Sequence, residues 1–312
     1  MSDASFASTS SAAAPASAMD YVRLMKPRVM TLVVFTALVG LVVAPVQMNL
    51  FAAACAVMAV ALGSGAAGAL NMWYDADIDA LMARTVTRPV PAGLVRREDA
   101  LGFGLIMSAL SVTLMALAAT PLAAALLAFS IFFYAVVYTM WLKRSTAQNI
   151  VIGGAAGAFP PVIGWAAATG SAPADAWILF GLIFLWTPPH FWALSLWTSK
   201  EYARAGVPML PVTRGAKETR LQILIYTLIL VPVTLLPALT GTVGWFYTAA
   251  NAALGIMFIW HAWRVYRIRE GAEAEAACKK LFGFSTLWLF IVFALILAER
   301  ALGLPAFAPV FG

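Results

Sequence analysis

Nine stretches of about twenty mostly apolar residues run along the chain, each parted from the next by a short polar break. They fall near residues 30–46, 50–72, 99–118, 121–141, 150–168, 176–198, 221–239, 245–263 and 281–298. About twenty residues of α-helix rise about 30 Å, the thickness of a bilayer's hydrocarbon core, so stretches of this length predict membrane spans. The runs are continuous, as from Leu221 to Leu236, and do not alternate over ten-residue segments. That pattern predicts helices rather than a barrel. The expected fold class is therefore an all-α integral membrane protein with nine transmembrane helices.

Composition agrees with this class. The 312 residues are 62% hydrophobic and 11% charged, against about 25% charged in soluble domains. Residues 1–20 are rich in Ala and Ser, carry Asp3 and Asp20, and contain no Lys or Arg, so neither a secretory leader nor an Arg-rich transit peptide is written there. They read as a disordered tail before a nine-helix domain over 21–300, with a short C-terminal tail over 301–312. Cys55 and Cys278 have no metal-ligand spacing and read as inert thiols.

The net charge of +6 does not point to nucleic acid, because its placement has a simpler cause. With nine alternating spans, every Lys and Arg except Arg300 falls on one side of the membrane. The other side's loops, 47–49, 119–120, 169–175 and 240–244, carry Asp175 as their one charge. The positive-inside rule then places the N-terminus in the cytoplasm and the C-terminus outside, with the polar working surface at the cytoplasmic mouth. Trp73, Trp141, Trp197 and Trp263 fall near expected inner ends, and Trp165, Trp177 and Trp245 near outer ends, as an aromatic belt predicts.

The chemistry-bearing residues collect at that mouth. Asn71, Asp75 and Asp79 recur every four residues after the second stretch. On a helix they lie within about 80° of one another over about 12 Å of rise. Asp77 sits about 200° from Asp75 on the same wheel, away from the site. Like charges at this spacing repel, and a cation is their natural compensation. Mg²⁺ takes one or two carboxylates, keeps water, and fills its shell with phosphate oxygens, so a diphosphate is the implied ligand. A solvated acidic loop mouth explains the same spacing.

Arg84 and Arg88 come directly after the acids, and Lys143 with Arg144 opens the next cytoplasmic loop. Each base alone reads as a topology determinant; together with the acids they suit a polyanion whose charge grows as a bond breaks. Pro89, Pro91 and Gly93 end the helix and hold a loop near the mouth. Thr146 and Asn149 are further polar candidates that also read as helix caps. His190, inside the sixth stretch after Pro188 and Pro189, is an ionisable group at membrane depth and so a functional candidate. It reads equally as a partner for carbonyls that the prolines set free. His261 reads as an interfacial side chain. The loop from Ser199 to Pro211 has apolar residues of its own and suits a cap over the mouth.

These residues carry a resemblance. The segment Asn71-Met72-Trp73-Tyr74-Asp75-Ala76-Asp77-Ile78-Asp79, with Thr87 to Gly93, resembles the first acidic motif of the UbiA-like intramembrane prenyltransferases. Leu142 to Gly154, Trp186 to Leu194 and Gly206 to Val212 resemble segments of its heme O synthase branch, the protoheme IX farnesyltransferases. The match runs from about Tyr21 to Ala298. It implies nine helices around a central cavity and transfer of farnesyl from farnesyl diphosphate to a vinyl group of heme b. Mg²⁺ is the implied cofactor. Residue by residue, it implies that Asn71, Asp75 and Asp79 hold the metal, and that Asn71, Arg84, Arg88, Lys143 and Arg144 hold the diphosphate. It gives His190 a role with the heme, as iron ligand or base. It also implies a bacterial inner membrane and handover of product to heme A synthase or a terminal oxidase.

One departure stands out. Where the superfamily has paired aspartates after the sixth span, this chain offers Glu201 followed by Tyr202, so Glu201 is a candidate metal ligand standing alone. Two alternatives stay open at the level of sequence: a UbiA-like enzyme with another aromatic or tetrapyrrole acceptor, and a nine-helix transporter. Against the transporter, the acids sit at one mouth, and only Pro160-Pro161 and Pro188-Pro189 hint at broken helices.

Overall fold

Residues 16–310 are described by a computed structural model, and they fold into helices joined mostly by short loops, the segment 80–96 being longer. In chain order the helices are α1 (Ala18–Leu24), α2 (Pro27–Val43), α3 (Leu50–Tyr74), α4 (Ala76–Asp79), α5 (Arg97–Ala118) and α6 (Pro121–Phe132). A π-helix (Phe133–Leu142) continues α6 and is followed by α7 (Asn149–Ala158), α8 (Pro160–Thr169) and α9 (Ala174–Trp197). Then come α10 (Ser199–Arg204), α11 (Leu210–Thr213), α12 (Gly215–Val233), α13 (Leu236–Leu239), α14 (Trp245–Arg267) and α15 (Gly271–Ala301).

Among the described residues, seven helical runs are long and apolar enough to cross a membrane: Leu50–Tyr74, Arg97–Ala118, Pro121–Leu142, Asn149–Thr169, Ala174–Trp197, Gly215–Leu239 and Gly271–Ala301. The pair α1 and α2, bent by 56° at Lys26, makes an eighth if counted as one span. The ninth expected stretch is helical as α14, 23 residues long. It falls outside that set because Tyr247, Asn251 and His261 dilute its apolar run. The chain is thus an all-helical, multi-pass membrane protein.

Lipid tails are as apolar as leucine, so helices in a membrane associate through close packing rather than through escape from water. Small residues make that approach here. A Cβ on Gly40 would lie 2.1 Å from the carbonyl oxygen of Pro161, and one on Gly164 would lie 2.0 Å from that of Ala37. α2 and α8 therefore touch backbone to backbone. Each helix also faces two cores. Ala37 and Leu41 of α2 join Ile163 and Ala166 of α8 against α3 and α6. Val39 and Val43 join Val162 and Trp165 against α9, α12, α14 and α15. This crossed pair ties the two halves of the bundle together.

Three expectations need correction. Most of the tail expected over 1–20 lies outside the described residues, but its end is helical: Ser17 and Asp20 form a capping box that starts α1, satisfying donors that a helix start leaves open. The basic loop expected before residue 281 is largely helix, since α15 begins at Gly271. Its Ala- and Glu-rich start favours helix, and Lys279 pairs with Glu275 one turn earlier at 2.5 Å. Trp165 is buried in the core rather than placed in an aromatic belt. Cys55 and Cys278 are free.

Candidate active site

The acidic segment is a helix with a joint. α3 ends at Tyr74, Asp75 takes φ −85° and ψ 8°, and α4 resumes at Ala76. The four-residue spacing survives this break, because Asp75 N donates to Asn71 O at 2.9 Å and Asp79 N to Asp75 O at 2.8 Å. The spacing alone predicts one unbroken helix; the structure has a joint at Asp75, and all three side chains are buried. Asn71, Asp75 and Asp79 are 3%, 0% and 2% exposed, which excludes the solvated loop mouth.

Buried carboxylates need partners, and each acid meets the bases expected beside it. Lys143 Nζ donates to Asp75 Oδ2, and Arg144 Nη2 lies 3.5 Å from Asp75 Oδ1. Arg88 Nη1 donates to Asp79 Oδ2 at 2.6 Å. Asn71 Nδ2 donates to Asp75 Oδ2 at 2.7 Å and to Thr139 Oγ1 at 3.1 Å. Its Oδ1 accepts from Lys26 Nζ at 2.5 Å. Arg84 is exposed, and its side chain has no hydrogen bond or ion pair among the described residues. Thr85 Oγ1 donates to the backbone oxygen of Asp79 at 2.7 Å, tying the loop to α4.

The π-helix sets the angle from which Lys143 arrives. Its hydrogen bonds step back five residues, as from Lys143 N to Tyr138 O at 2.8 Å, and Thr139 Oγ1 bonds Tyr134 O at 2.8 Å. This wider winding, often found at functional sites, turns Thr139 and Lys143 toward α3. Gly153 on α7 makes room for it, since a Cβ there would lie 2.1 Å from the Tyr138 ring.

Three residues of this cluster escape sequence reasoning. Asp77, set aside by the helical wheel, receives two hydrogen bonds from Arg144, each 2.7 Å. Those bonds hold its carboxyl down to about 2 and raise the Arg144 guanidinium above its ordinary value. Lys26 looks like a topology charge, yet it crosses to Asn71. It is the one non-glycine residue with positive φ among those described, at φ 54°, a local strain that marks the position. Thr139 sits in an aromatic run with no motif around it.

Part of the loop after α9 closes over the acids. Tyr202, Ala205, Val207 and Met209 pack on Ile78 and Met82 beside α4, and Arg204 donates to the carbonyl of Leu81 at 2.7 Å. Glu201, on α10, has its Oε2 buried with no hydrogen-bond partner among the described residues. Asn149 is buried and donates to Thr146 O at 2.7 Å, and Thr146 Oγ1 accepts from Gln148 N at 3.2 Å.

His190 is buried within α9, whose helix continues through Pro188 and Pro189. Its ring lies between Trp186 and Phe282, with centroids 4.3 Å away on each side. Nδ1 bonds Ser285 Oγ at 2.8 Å rather than a carbonyl freed by the prolines. Ser285 in turn donates to Phe282 O; a hydroxyl has one proton, so Nδ1 is the donor and Nε2 carries the lone pair. His261 packs on Phe284 at 4.6 Å.

The donor set fits a small hard cation beside a polyanion. Asp75 Oδ1 is buried and accepts no hydrogen bond among the described residues, an oxygen left open where Mg²⁺ needs one or two carboxylates and takes its remaining ligands from water and phosphate. No three His, Cys, Asp or Glu side chains converge as a metal-binding group among the described residues, so Glu201 does not close a third side in this arrangement.

The UbiA prenyltransferase family matches residues 33–288. A protoheme IX farnesyltransferase of Hyphomonas neptunium is 61% identical over 96% of this chain and 96% of its own length. One from Parvibaculum lavamentivorans is 59% identical over 92% of this chain and 91% of its own. Among solved structures, a digeranylgeranylglyceryl phosphate synthase aligns with a TM-score of 0.74 at 17% identity, covering 90% of this chain and 98% of the other. A UbiA homolog from Archaeoglobus fulgidus bound to DMAPP and Mg²⁺ aligns at 0.69 and 16% identity, covering 89% and 99%. At such identities these two structures bear on the fold alone.

Proposed function

The chain belongs to the UbiA prenyltransferase family, and from that membership we propose that it transfers the farnesyl group of farnesyl diphosphate to a vinyl group of heme b, giving heme O and diphosphate. The observation that carries this reading is the buried cluster in which Asp75 and Asp79 sit against Lys143, Arg144 and Arg88. Similarity at 61% identity over nearly the whole chain to a protoheme IX farnesyltransferase supports the choice of acceptor.

In this reading Asp75 and Asp79 would hold Mg²⁺, and Asn71 fixes the rotamer of Asp75 through its amide. Bound there, the ion supplies Lewis-acid stabilisation of the departing diphosphate. Lys143, Arg144 and Arg88, held in place by the acids, turn toward the incoming phosphates, and Arg84 and Lys26 widen the positive field around them. Fixed cations aimed at the site of growing charge lower the barrier to breaking the allylic C–O bond. The farnesyl cation meets the heme vinyl group, and the loop from α10 to α11 keeps water away until that bond has formed. Water then adds to the new carbocation and loses a proton, leaving a hydroxyethylfarnesyl side chain. His190, with Nδ1 committed to Ser285, offers Nε2 to the heme iron or to a proton.

The same reading completes the topology. α14 is the ninth span, the N-terminus is cytoplasmic, the C-terminus is outside, and the membrane is a bacterial inner membrane. The one-sided distribution of Lys and Arg supports this orientation.

Incubating the purified protein with heme b, farnesyl diphosphate and Mg²⁺ tests the proposal. A heme product with the mass of heme O is expected, and excess chelator should abolish it. Heme recovered unchanged from folded, Mg²⁺-supplied protein would refute the assignment.

A further inference from the structure

A cavity of about 500 Å³ is lined in part by the residues that follow Lys143 and Arg144 in their loop. It does not include the acids. Its walls include Ser145 to Gln148 in that loop, Trp192 of α9, and Pro208 and Leu210 at the start of α11. The near end of α12 closes it with Arg214, Glu218, Gln222 and Tyr226. The volume falls within the roughly 300–1,000 Å³ typical of small-molecule sites.

The lining is built to receive something with an aromatic body and an acceptor edge. Trp192 is 1% exposed, and its Nε1, a donor with no acceptor capacity, has no partner among the described residues. Tyr226 meets the Trp192 ring edge-on at 5.3 Å, leaving an aromatic wall. The Arg214 side chain forms no ion pair or hydrogen bond among the described residues. The one carboxylate in the lining, Glu218, is engaged by Gln222 Nε2 at 2.8 Å. The indole N–H is buried without a partner, and an exposed guanidinium with no partner among the described residues stands on the same aromatic-sided wall, a pairing that suits a planar ligand bearing a carboxylate.

We propose that this cavity binds the carboxylate-bearing edge of the tetrapyrrole acceptor, with Arg214 taking a propionate and Trp192 supplying a hydrogen bond beside the ring. The inference rests on the function proposed above and adds to it the place where the acceptor docks. It accounts for the place of the cavity in the chain: residues 145 to 148, on its wall, follow directly on Lys143 and Arg144, so one short loop serves both the leaving group and the acceptor. Arg214 and Trp192 are positioning residues in this account, since neither touches the bond that breaks.

The experiment compares heme b with its dimethyl ester, which lacks the negative charges, on full-length wild type, Arg214→Gln and Trp192→Phe. Arg214 is exposed, so its variant should fold, and Trp192→Phe keeps an aromatic ring while removing the donor. For Arg214→Gln the KM for heme b should rise about tenfold, the loss expected for one charge-assisted hydrogen bond. The KM for the dimethyl ester and the KM for farnesyl diphosphate should stay within twofold of wild type. Trp192→Phe should raise the KM for heme b by several fold, with farnesyl diphosphate unaffected. If wild type makes heme O and both variants keep the KM for heme b, the cavity is not the acceptor site, and the proposed function stands. The cavity is equally ruled out as the acceptor site if anionic lipid, added to the assay, competes with heme b at no concentration yet protects Arg214 from modification by an arginine reagent, because the occupant is then a lipid headgroup. Wild type that makes no heme O overturns the function and this site together.

Discussion

Replacing Asp75 with Asn tests the electrostatic core of the site. The change keeps the side chain's shape and removes its charge, so Lys143 and Arg144 face a neutral amide. Asp75 is fully buried and the Lys143 side chain is 14% exposed, so water replaces little of the lost attraction. At the 3.5 Å between Arg144 and Asp75, an effective dielectric of about 20 gives a gross attraction of about 5 kcal/mol. Desolvation offsets part of this, and removing one partner of a buried pair typically costs about 3–5 kcal/mol. Arg144 keeps Asp77, which puts the expected loss of stability at about 3 kcal/mol. Turnover should fall further than stability alone explains, by about 100- to 1,000-fold, as for other losses of a group that stabilises developing charge. A double variant, Asp75→Asn with Lys143→Met, separates the two effects: it removes the orphaned cation, so thermal stability should largely return while turnover stays low. Heme O formation by mass, read beside thermal unfolding in the same detergent, measures both. Near-wild-type turnover in Asp75→Asn, or recovery of turnover along with stability in the double variant, would refute the assignment and leave Asp75 as an anchor for Lys143.

Other perturbations probe the scaffold and the heme side. Gly164→Ala drives a methyl to 2.0 Å from the Ala37 carbonyl, so α2 and α8 must part; a loss of about 3 kcal/mol is expected. Gly157→Ala, with open space around it, should be neutral or stabilising by up to about 1 kcal/mol, and equal melting temperatures for the two would contradict the close-contact argument. Glu299 of α15 accepts from Gly244 N at 2.6 Å and Tyr247 N at 2.8 Å, capping α14. Glu299→Ala should therefore lower stability by about 1–2 kcal/mol while activity per folded molecule stays unchanged, and a melting temperature equal to wild type would disprove the cap. His190→Ala should weaken heme b binding and cut turnover by at least about tenfold; a lowered melting temperature with intact turnover and unchanged heme spectra would reduce His190 to a packing residue between Trp186 and Phe282.

Much of this protein is legible along the chain. A membrane span is a local property, because every backbone polar group must be satisfied within its own helix, and the apolar stretches therefore give the seven helical runs long enough to cross, the bent pair α1–α2 and the helix of α14, within a few residues at most ends. α15 is the exception: its basic, Ala- and Glu-rich start is helical by propensity, and a reading keyed to hydropathy stops short of it. The acids are legible too, since Asn71, Asp75 and Asp79 repeat at a helical interval, as is the base for Asp79, since Arg88 follows directly. What the sequence could not supply is partnership across the bundle. The choice of Lys143 for Asp75, of Arg144 for Asp77 and of Lys26 for Asn71 spans distances of 45 to 68 residues along the chain. It depends on a bend at Lys26, a joint at Asp75 and a π-helix before Lys143. Those three features are decided by packing against other helices, at glycines such as Gly153 whose absence of a side chain has meaning only once a neighbour is in place. Local sequence sets which segments become helices; which face of each meets another is settled only when all of them share one volume.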